Sequence, residues 1–387
     1  MDFTLTEEQS AFRDVMRDFV RREVAPVANE WERSGRYPTE IVDAMKQMGL
    51  FGLLIPDEHG GMDADALSYG IAFEEISRAW MGIAGILGSH SLATDLIKRY
   101  GTDDQRKRYL PGLATGERRS GIALTEPGAG SDLQGISTKA RREGDHYVVN
   151  GTKTWITNAR HADPLPVLVK TDPDADPAHR GMSILLVDAD AAGYSVSRDI
   201  PKLGYKGPES CEVVLEDVRV PTDNLLGGEE GLGLKQALSA LEIGRVNIAA
   251  RSVGLGQASL DAAVGYSRER HAFGQPIAEF QAIQLKIADM ATDVQAGRLL
   301  MWWAAAKMDS GERSDLETGM AKLYCSEMAL RCSLTAMRIH GGYGYSQEYD
   351  VERYYRDAPL MAIGEGTSDI LRIVIARRLL ADGLGAS

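Results

Sequence analysis

The segment Tyr147-Val148-Val149-Asn150-Gly151-Thr152-Lys153 is the strongest local signal in the chain. β-Branched and aromatic residues flank an Asn-Gly pair, the dipeptide best suited to a tight two-residue turn, so the stretch reads as a β-hairpin. Around it, from Gly116 to about Asn224, apolar residues recur with a period of two. Strands are expected over Leu165–Lys170, Met182–Val187 and Cys211–Val220, the last stopped by Pro221. Thr171–Gly181, with its aspartates and prolines, reads as a mobile surface loop.

On both sides the spacing is helical. Thr6 and Gln9 form a capping box for a first helix with Phe12, Val15, Met16 and Phe19 on one side. A second helix starts near Pro38 and stops at Gly49. Leu67–Ala79 and Ile83–Tyr100 follow; the small residues of the second allow close helix packing or a narrow ligand channel, with packing as the default. Beyond Gly227, Gly228 and Gly231 helices are expected over Leu232–Glu269, Glu279–Ser310, Ser314–His340, Val351–Tyr355 and Ile370–Leu380. The chain thus divides into an N-terminal helical domain (1–115), a middle β domain of barrel or sandwich type (116–225) and a C-terminal helical bundle (226–387). The class is α+β, and the bundle faces are open to self-association.

A chain of 387 residues is long for one simple core. Its 43 Lys and Arg against 56 Asp and Glu, a net charge of -13, disfavour a nucleic-acid or anionic-membrane binder. The start, MDFTLTEEQS, has no basic or apolar leader pattern, and no apolar run reaches membrane-spanning length, so a cytoplasmic location is expected. Cys211, Cys325 and Cys332 form no CxxC pair and fit a reducing compartment, the last two as small core residues; without HExxH, no metal is expected. The absence of GxGxxG after a strand, GxxxxGK[ST] and GxSxG argues against a Rossmann dehydrogenase, a P-loop enzyme and an α/β-hydrolase.

Two loops carry candidate chemistry. Met361–Arg372, MAIGEGTSDILR, places Glu365 between two glycines on a tight loop, ahead of Thr367, Ser368 and Asp369, which suit a helix start. Its residues fit a general base reached by something flat, although on the residues alone a solvated loop Glu is the default reading. Leu124–Asp132, LTEPGAGSD, can gather backbone amides around a flat polar ring, or be an ordinary turn.

Together LTEPGAGSD, WITN at 155–158, RxxFG at 270–274, IHGGYGY at 339–345, RYYRDA at 353–358 and GEGTSDI at 364–370 resemble the FAD-dependent acyl-CoA dehydrogenases over essentially the whole chain. The resemblance implies that family's fold, with a four-helix bundle at the C-terminus, and an FAD cofactor. It puts Leu124, Thr125, Gly130 and Ser131, with Trp155, Ile156 and Thr157, around the isoalloxazine. Arg270 and Phe273 match positions at the pyrophosphate and adenine, and Gln281 a further FAD contact. Arg338, Gly341 and Gly342 match a segment reaching FAD from a neighbouring subunit, although the family often has Gln in place of Arg338. Thr367 and Ser368 match FAD contacts after the base. Ser131, Glu242, Arg245 and Gly366 match acyl-CoA contacts.

By the same resemblance Glu365 is the catalytic base. Some branched-chain members carry the base at the position of Gly244 instead, and glycine there leaves Glu365 without a competitor. The implied reaction removes an α-proton to Glu365 and a β-hydride to the flavin, giving a trans-2-enoyl thioester, with the thioester oxygen bonded by the Glu365 amide and the ribityl 2′-hydroxyl. Exclusion of water is expected to raise the Glu365 pKa. Gly364 replaces the Tyr of straight-chain members, which implies a wider pocket for a short to medium, branched or bulky acyl group. No Lys or Arg occurs from Met81 to Asp95, which speaks against a dicarboxylic acyl group. Electron-transfer flavoprotein as acceptor and a homotetramer are also implied. The alternatives are an acyl-CoA oxidase or monooxygenase, a dehydrogenase of carrier-protein thioesters, and a noncatalytic homologue.

Overall fold

A computed structural model describes residues 4–382. Helix α1 (Glu7–Phe19) begins with the expected capping box: Thr6 Oγ1 accepts from the Gln9 amide at 3.1 Å and the Thr6 amide donates to Gln9 Oε1 at 3.1 Å. Its buried face is narrower than the spacing suggested, because Met16 and Phe19 are buried while Val15 is largely exposed. Helices α2 (Ala28–Ser34) and α3 (Thr39–Gln47) follow, the latter stopped by Gly49 in the left-handed region. The two helices expected next form one interrupted rod, α4 (Ala66–Tyr100), broken at Trp80, whose φ of -151° and ψ of 99° are not helical. The Trp80 indole donates to the Lys206 carbonyl at 3.1 Å, so the break is where a β-domain loop meets the rod. Helix α5 (Asp103–Ala114) carries its own capping box from Thr102 and Gln105.

The middle region is a six-stranded sheet of β1 (Lys139–Glu143), β2 (His146–Thr157), β3 (Leu165–Lys170), β4 (Met182–Val187), β5 (Tyr194–Asp199) and β6 (Ser210–Pro221). Their spatial order is β4-β3-β1-β2-β6-β5, antiparallel except for the β1–β3 pair. The expected hairpin at Asn150-Gly151 is not formed, since β2 runs straight through it. The reversal lies at Gly144-Asp145, where Glu143 pairs with His146 across the β1–β2 turn. At Asn150 the ladder to β6 slips by one residue. There the Asn150 side-chain Nδ2 donates to Asp217 Oδ1 and its Oδ1 accepts from the Asp217 backbone amide, both at 2.9 Å. Asn-Gly suits an unpaired, twisted backbone in general, and tertiary pairing uses it here as a bulge.

The C-terminal region contains α6 (Gly233–Glu269), a short hairpin of β7 (His271–Ala272) and β8 (Gln275–Pro276), then α7 (Gln281–Asp309), α8 (Asp315–His340), α9 (Val351–Ile363) and α10 (Ser368–Asp382). Helix α9 outruns its expected end at Tyr355 and continues past Pro359. Burial of Ala358 and Met361 outweighs the backbone bond that proline removes. α4 packs along α6, and α6 along α8, in one continuous apolar core that also buries Cys325 and Cys332 as free thiols. Buried carboxylates tie the regions together: Glu32 of α2 pairs with Arg356 of α9 at 2.6 Å, and Glu74 of α4 with Arg298 of α7 at 2.9 Å. Among the described residues no helix is long and apolar enough to cross a membrane.

Candidate active site

Glu365 sits in the loop between α9 and α10, where the chain turns sharply: its φ is 55° and that of Gly366 is 96°. Only a residue without Cβ takes the second of these cheaply. The loop is held from below by Lys322 of α8, a fully buried side chain whose Nζ donates to the Gly366 carbonyl at 2.5 Å. The Glu365 residue is half-buried, but its Oε2 is enclosed and lacks a hydrogen-bond partner. That oxygen points at α6, and a Cβ built on Gly244 would fall 2.0 Å from it. The carboxylate therefore occupies the volume that any side chain at 244 would need.

Burial pushes the Glu365 carboxyl up to about 7, against the downward pull of Arg251, Lys322 and Arg245. The same burial brings the Lys322 ammonium down to about 8. Tyr205, on the loop from the sheet, also contributes, although sequence reasoning passed over it. Its φ is 55°, its backbone amide donates to Asp357 Oδ1 at 2.7 Å, and its hydroxyl lies 3.5 Å from Thr157 Oγ1. The hydroxyl end packs against Gly85, where a Cβ would fall 1.9 Å away. The small residues of α4 there are filled by packing, as the default reading had it.

Trp155, Asn158, Tyr205 and Glu365 all have positive φ, and Tyr205, beside Thr157, also feels the Glu365 charge. Such conformations cost about 1–3 kcal/mol each and persist where the surroundings enforce them, commonly at functional sites. Trp155 lies in the bulge near the end of β2 with its indole more than half exposed. The Thr154 amide donates to the Thr125 carbonyl at 2.9 Å, which lays the Leu124–Ser131 loop beside it. The loop is fastened by Glu126, bonded to Lys153 Nζ at 2.8 Å with both groups buried. Side chains built at Gly128 and Gly130 would meet nothing within 4 Å. Beyond Glu365, Ser368 Oγ is buried without a partner, while Thr367 caps α10 by accepting from the Ile370 amide. An exposed indole, an open glycine-rich loop and an unpartnered hydroxyl fit a flat, polar-edged ring such as isoalloxazine.

Glu242 and Arg245 lie one turn apart on α6 near the start of α8. Ser314 Oγ donates to Glu242 Oε2 at 3.5 Å, and Arg245 Nη1 donates to the Asp315 carbonyl at 3.3 Å. Burial raises the Glu242 pKa and lowers that of Arg245. Arg245, Lys322 and Glu365 form one electrostatic group, with Gly366 bonded to it, while Ser131 is exposed on its own loop. The remaining expected cofactor residues gather elsewhere. Arg270, Gly341 and Gly342 line a cavity of about 540 Å³ where Tyr266 stacks on His340. Phe273, almost wholly exposed, lies in the adjoining hairpin, and Gln281 and Arg338 are exposed. From Gly244 to the end of α6 at Glu269 is 25 residues, roughly 38 Å at the rise of an α-helix. Within one chain, Arg270 is thus grouped with the Gly341 segment and lies far from Glu365, whereas sequence reasoning assigned only Arg338–Gly342 to a neighbouring subunit.

Three family models match the chain: the acyl-CoA dehydrogenase N-terminal domain over residues 6–117, the middle domain over 121–218 and the C-terminal domain over 231–380. A probable acyl-CoA dehydrogenase of Bacillus subtilis is 44% identical over 382 residues, covering 98% of this chain and all of that relative. The caffeyl-CoA reductase-Etf complex subunit CarC of Acetobacterium woodii is 42% identical over 378 residues, 97% of this chain and 99% of the relative. Among solved structures, butyryl-CoA dehydrogenase from Megasphaera elsdenii superposes with a TM-score of 0.95 at 36% identity, covering 98% of this chain and 100% of that one.

Proposed function

The chain belongs to the acyl-CoA dehydrogenase family, whose cofactor is FAD, and on that premise we propose that Glu365 is the base that takes the α-proton of an acyl-CoA thioester. The observation that carries this reading is the Glu365 carboxylate itself, enclosed against Gly244 with Oε2 unpartnered and its pKa near 7. A carboxylate in that state is basic enough to accept a weakly acidic α-proton at neutral pH. FAD, when bound, supplies the acceptor for the β-hydride, and the product is the trans-2-enoyl-CoA. Leu124–Ser131, Trp155–Thr157 and Thr367–Ser368 hold its ring. The Glu365 amide faces the thioester oxygen and stabilises the charge that develops there. Arg251, Lys322 and Arg245 keep the base ionised for part of the time despite its burial.

The acyl group is short to medium, with space for a branch beside Gly364, where a Cβ would meet nothing closer than the Leu360 carbonyl at 3.4 Å. Arg270, Phe273, Gln281, Arg338, Gly341 and Gly342 serve the FAD of a second copy within a homotetramer. The length of α6 supports this, because one chain cannot bring them to its own Glu365. Electrons pass to an electron-transfer flavoprotein, a reading supported by the likeness to a subunit of an Etf complex. Free buried cysteines accord with a cytoplasmic setting. That relative's name also favours a second reading, reduction of an enoyl-CoA, in which protonated Glu365 returns a proton to the α-carbon. Carrier-protein thioesters are the weaker substrate, given the CoA esters named among the relatives.

An anaerobic screen of flavin absorbance against acyl-CoAs of graded length and branching tests the proposal. Bleaching by a short or medium thioester, with release of the enoyl-CoA, is the expected result. No bleaching by any acyl-CoA would sink it, and stoichiometric peroxide on aerobic turnover would make the protein an oxidase.

A further inference from the structure

Helix α6 presents Gly244, Ile248 and Arg251 at spacings of four and three, which places them on one face. Gly244 abuts the Glu365 carboxylate. Ile248, one turn on, is buried with Met81, Tyr205 and Met361 in a small apolar cluster. Arg251 follows at 4% exposure. Its Nη2 lies 2.7 Å from the Met81 thioether sulfur, its guanidinium sits 5.3 Å from the centre of the Tyr205 ring, and its Nε is buried with no partner. Among the described residues no carboxylate forms an ion pair with it. Of the other buried guanidiniums, Arg353 bonds Asn29, the Ala79 carbonyl and Asp350, whereas Arg245, beside the Glu365 carboxylate, bonds the Asp315 carbonyl and also leaves its Nε unpartnered.

A buried guanidinium offers five donors and is not relieved of its charge, so a thioether and an aromatic face leave most of its demand unmet. Glu365 feels Arg251 more than any other cation, yet the two are not paired. A guanidinium two turns of helix beyond the base, roughly 10 Å along the axis before its side chain leans back toward the N-terminus, stands where the far end of a short acyl chain arrives. We propose that Arg251 is a specificity residue that binds a carboxylate at the ω-end of the acyl group, so that the substrate is the mono-CoA thioester of a short dicarboxylic acid. The lack of Lys and Arg over the Met81–Asp95 stretch of α4 pointed the other way. The cation comes from α6 instead, from a position that sequence spacing alone does not connect to the pocket.

The proposal rests on Glu365 acting on an acyl-CoA, and the test separates the two. Holoenzyme is assayed with glutaryl-CoA and adipyl-CoA against pentanoyl-CoA and hexanoyl-CoA, as wild type, Arg251→Gln and Arg251→Lys. Wild type is expected to favour the ω-carboxy thioester of at least one length by about 10²-fold in kcat/KM. That ratio is expected to collapse in Arg251→Gln and to recover in part in Arg251→Lys. Preference of wild type for both unsubstituted thioesters overturns the proposal while leaving the dehydrogenase reading intact. So does an unchanged ratio in Arg251→Gln. Wild type unbleached by every acyl-CoA overturns both.

Discussion

Gly244 and Glu365 share one space: the carboxylate oxygen Oε2 lies 2.0 Å from where a Cβ on residue 244 would be. Glycine on the helix and glutamate on the loop are a matched pair. The helix must lack a side chain for the loop to place its carboxylate.

Gly244→Ala is therefore expected to displace Glu365 without disturbing the fold, because Leu92, the other neighbour of the added methyl, would lie at an ordinary 3.4 Å. Misplacing a reacting group by an ångström or so costs about 10²-fold in rate. Single-turnover flavin reduction should fall by that factor while circular dichroism and FAD content hold. A variant within twofold of wild type would show that the carboxylate is not fixed there.

Glu365 works as a base only when ionised, so kcat/KM should rise with pH through about 7 and level off above it. Stability should run the other way. Its folded pKa is raised from the ordinary 4.5, so the contribution of the protonated carboxyl is complete below about pH 4.5 and is lost as pH rises through about 7. Thermal melts of wild type against Glu365→Gln across that window check the sign, and a rising Tm difference in favour of wild type would contradict it.

Lys322 lowers the Glu365 pKa and holds the loop through the Gly366 carbonyl. Replacement by Met removes the cation and leaves the rest of the stem. The pH profile should shift to higher pH, cutting activity at pH 7 by roughly tenfold, since each pK step is a factor of ten in ionised base. A profile that stays put, with activity lost at all pH values alike, would reduce Lys322 to packing.

The Glu126–Lys153 pair fastens the glycine-rich loop to β2. Burial works to raise the Glu126 pKa, but hydrogen bonds from Lys153, Ser137 and Thr138 outweigh it and hold the carboxyl down at about 2. Its stabilisation is present above pH 4.5 and is lost as pH falls toward 2. Lys153→Met leaves that carboxylate buried without its cation, with only the Ser137 and Thr138 bonds, at a cost of up to about 3–5 kcal/mol, and should weaken FAD retention. Adding Glu126→Gln should restore most of the stability in denaturant titrations. No gain from the second change would show that the pair matters through something other than charge.

Much of this architecture is legible before any coordinates. Helical spacing located α6, α7 and α8 to within two residues, because long amphipathic patterns carry their own punctuation. The charged strand β1, Lys-Ala-Arg-Arg-Glu, has no apolar alternation to betray it, and it is ordered by its partners β2 and β3. Asn150-Gly151 was misread because turn and bulge demand similar backbones, and only the β6 ladder distinguishes them. In the site, the glycines beside Glu365 left both a base and an ordinary loop Glu open, and only the family resemblance singled it out. Arg251 and Lys322 gave no signal, since a lone cation inside a long helix reads as a solvated face until the helices packed over it are known, and Tyr205 gave none because it lies on an irregular loop between β5 and β6.

The measurement that bears most directly on Glu365 as the base is anaerobic stopped-flow flavin reduction of wild type and Glu365→Gln with the best acyl-CoA. The amide keeps the size of the carboxylate but cannot accept the proton. FAD content should be unchanged and the reduction rate should fall by about 10²–10⁴-fold or more. Near-normal bleaching by Glu365→Gln would contradict the account.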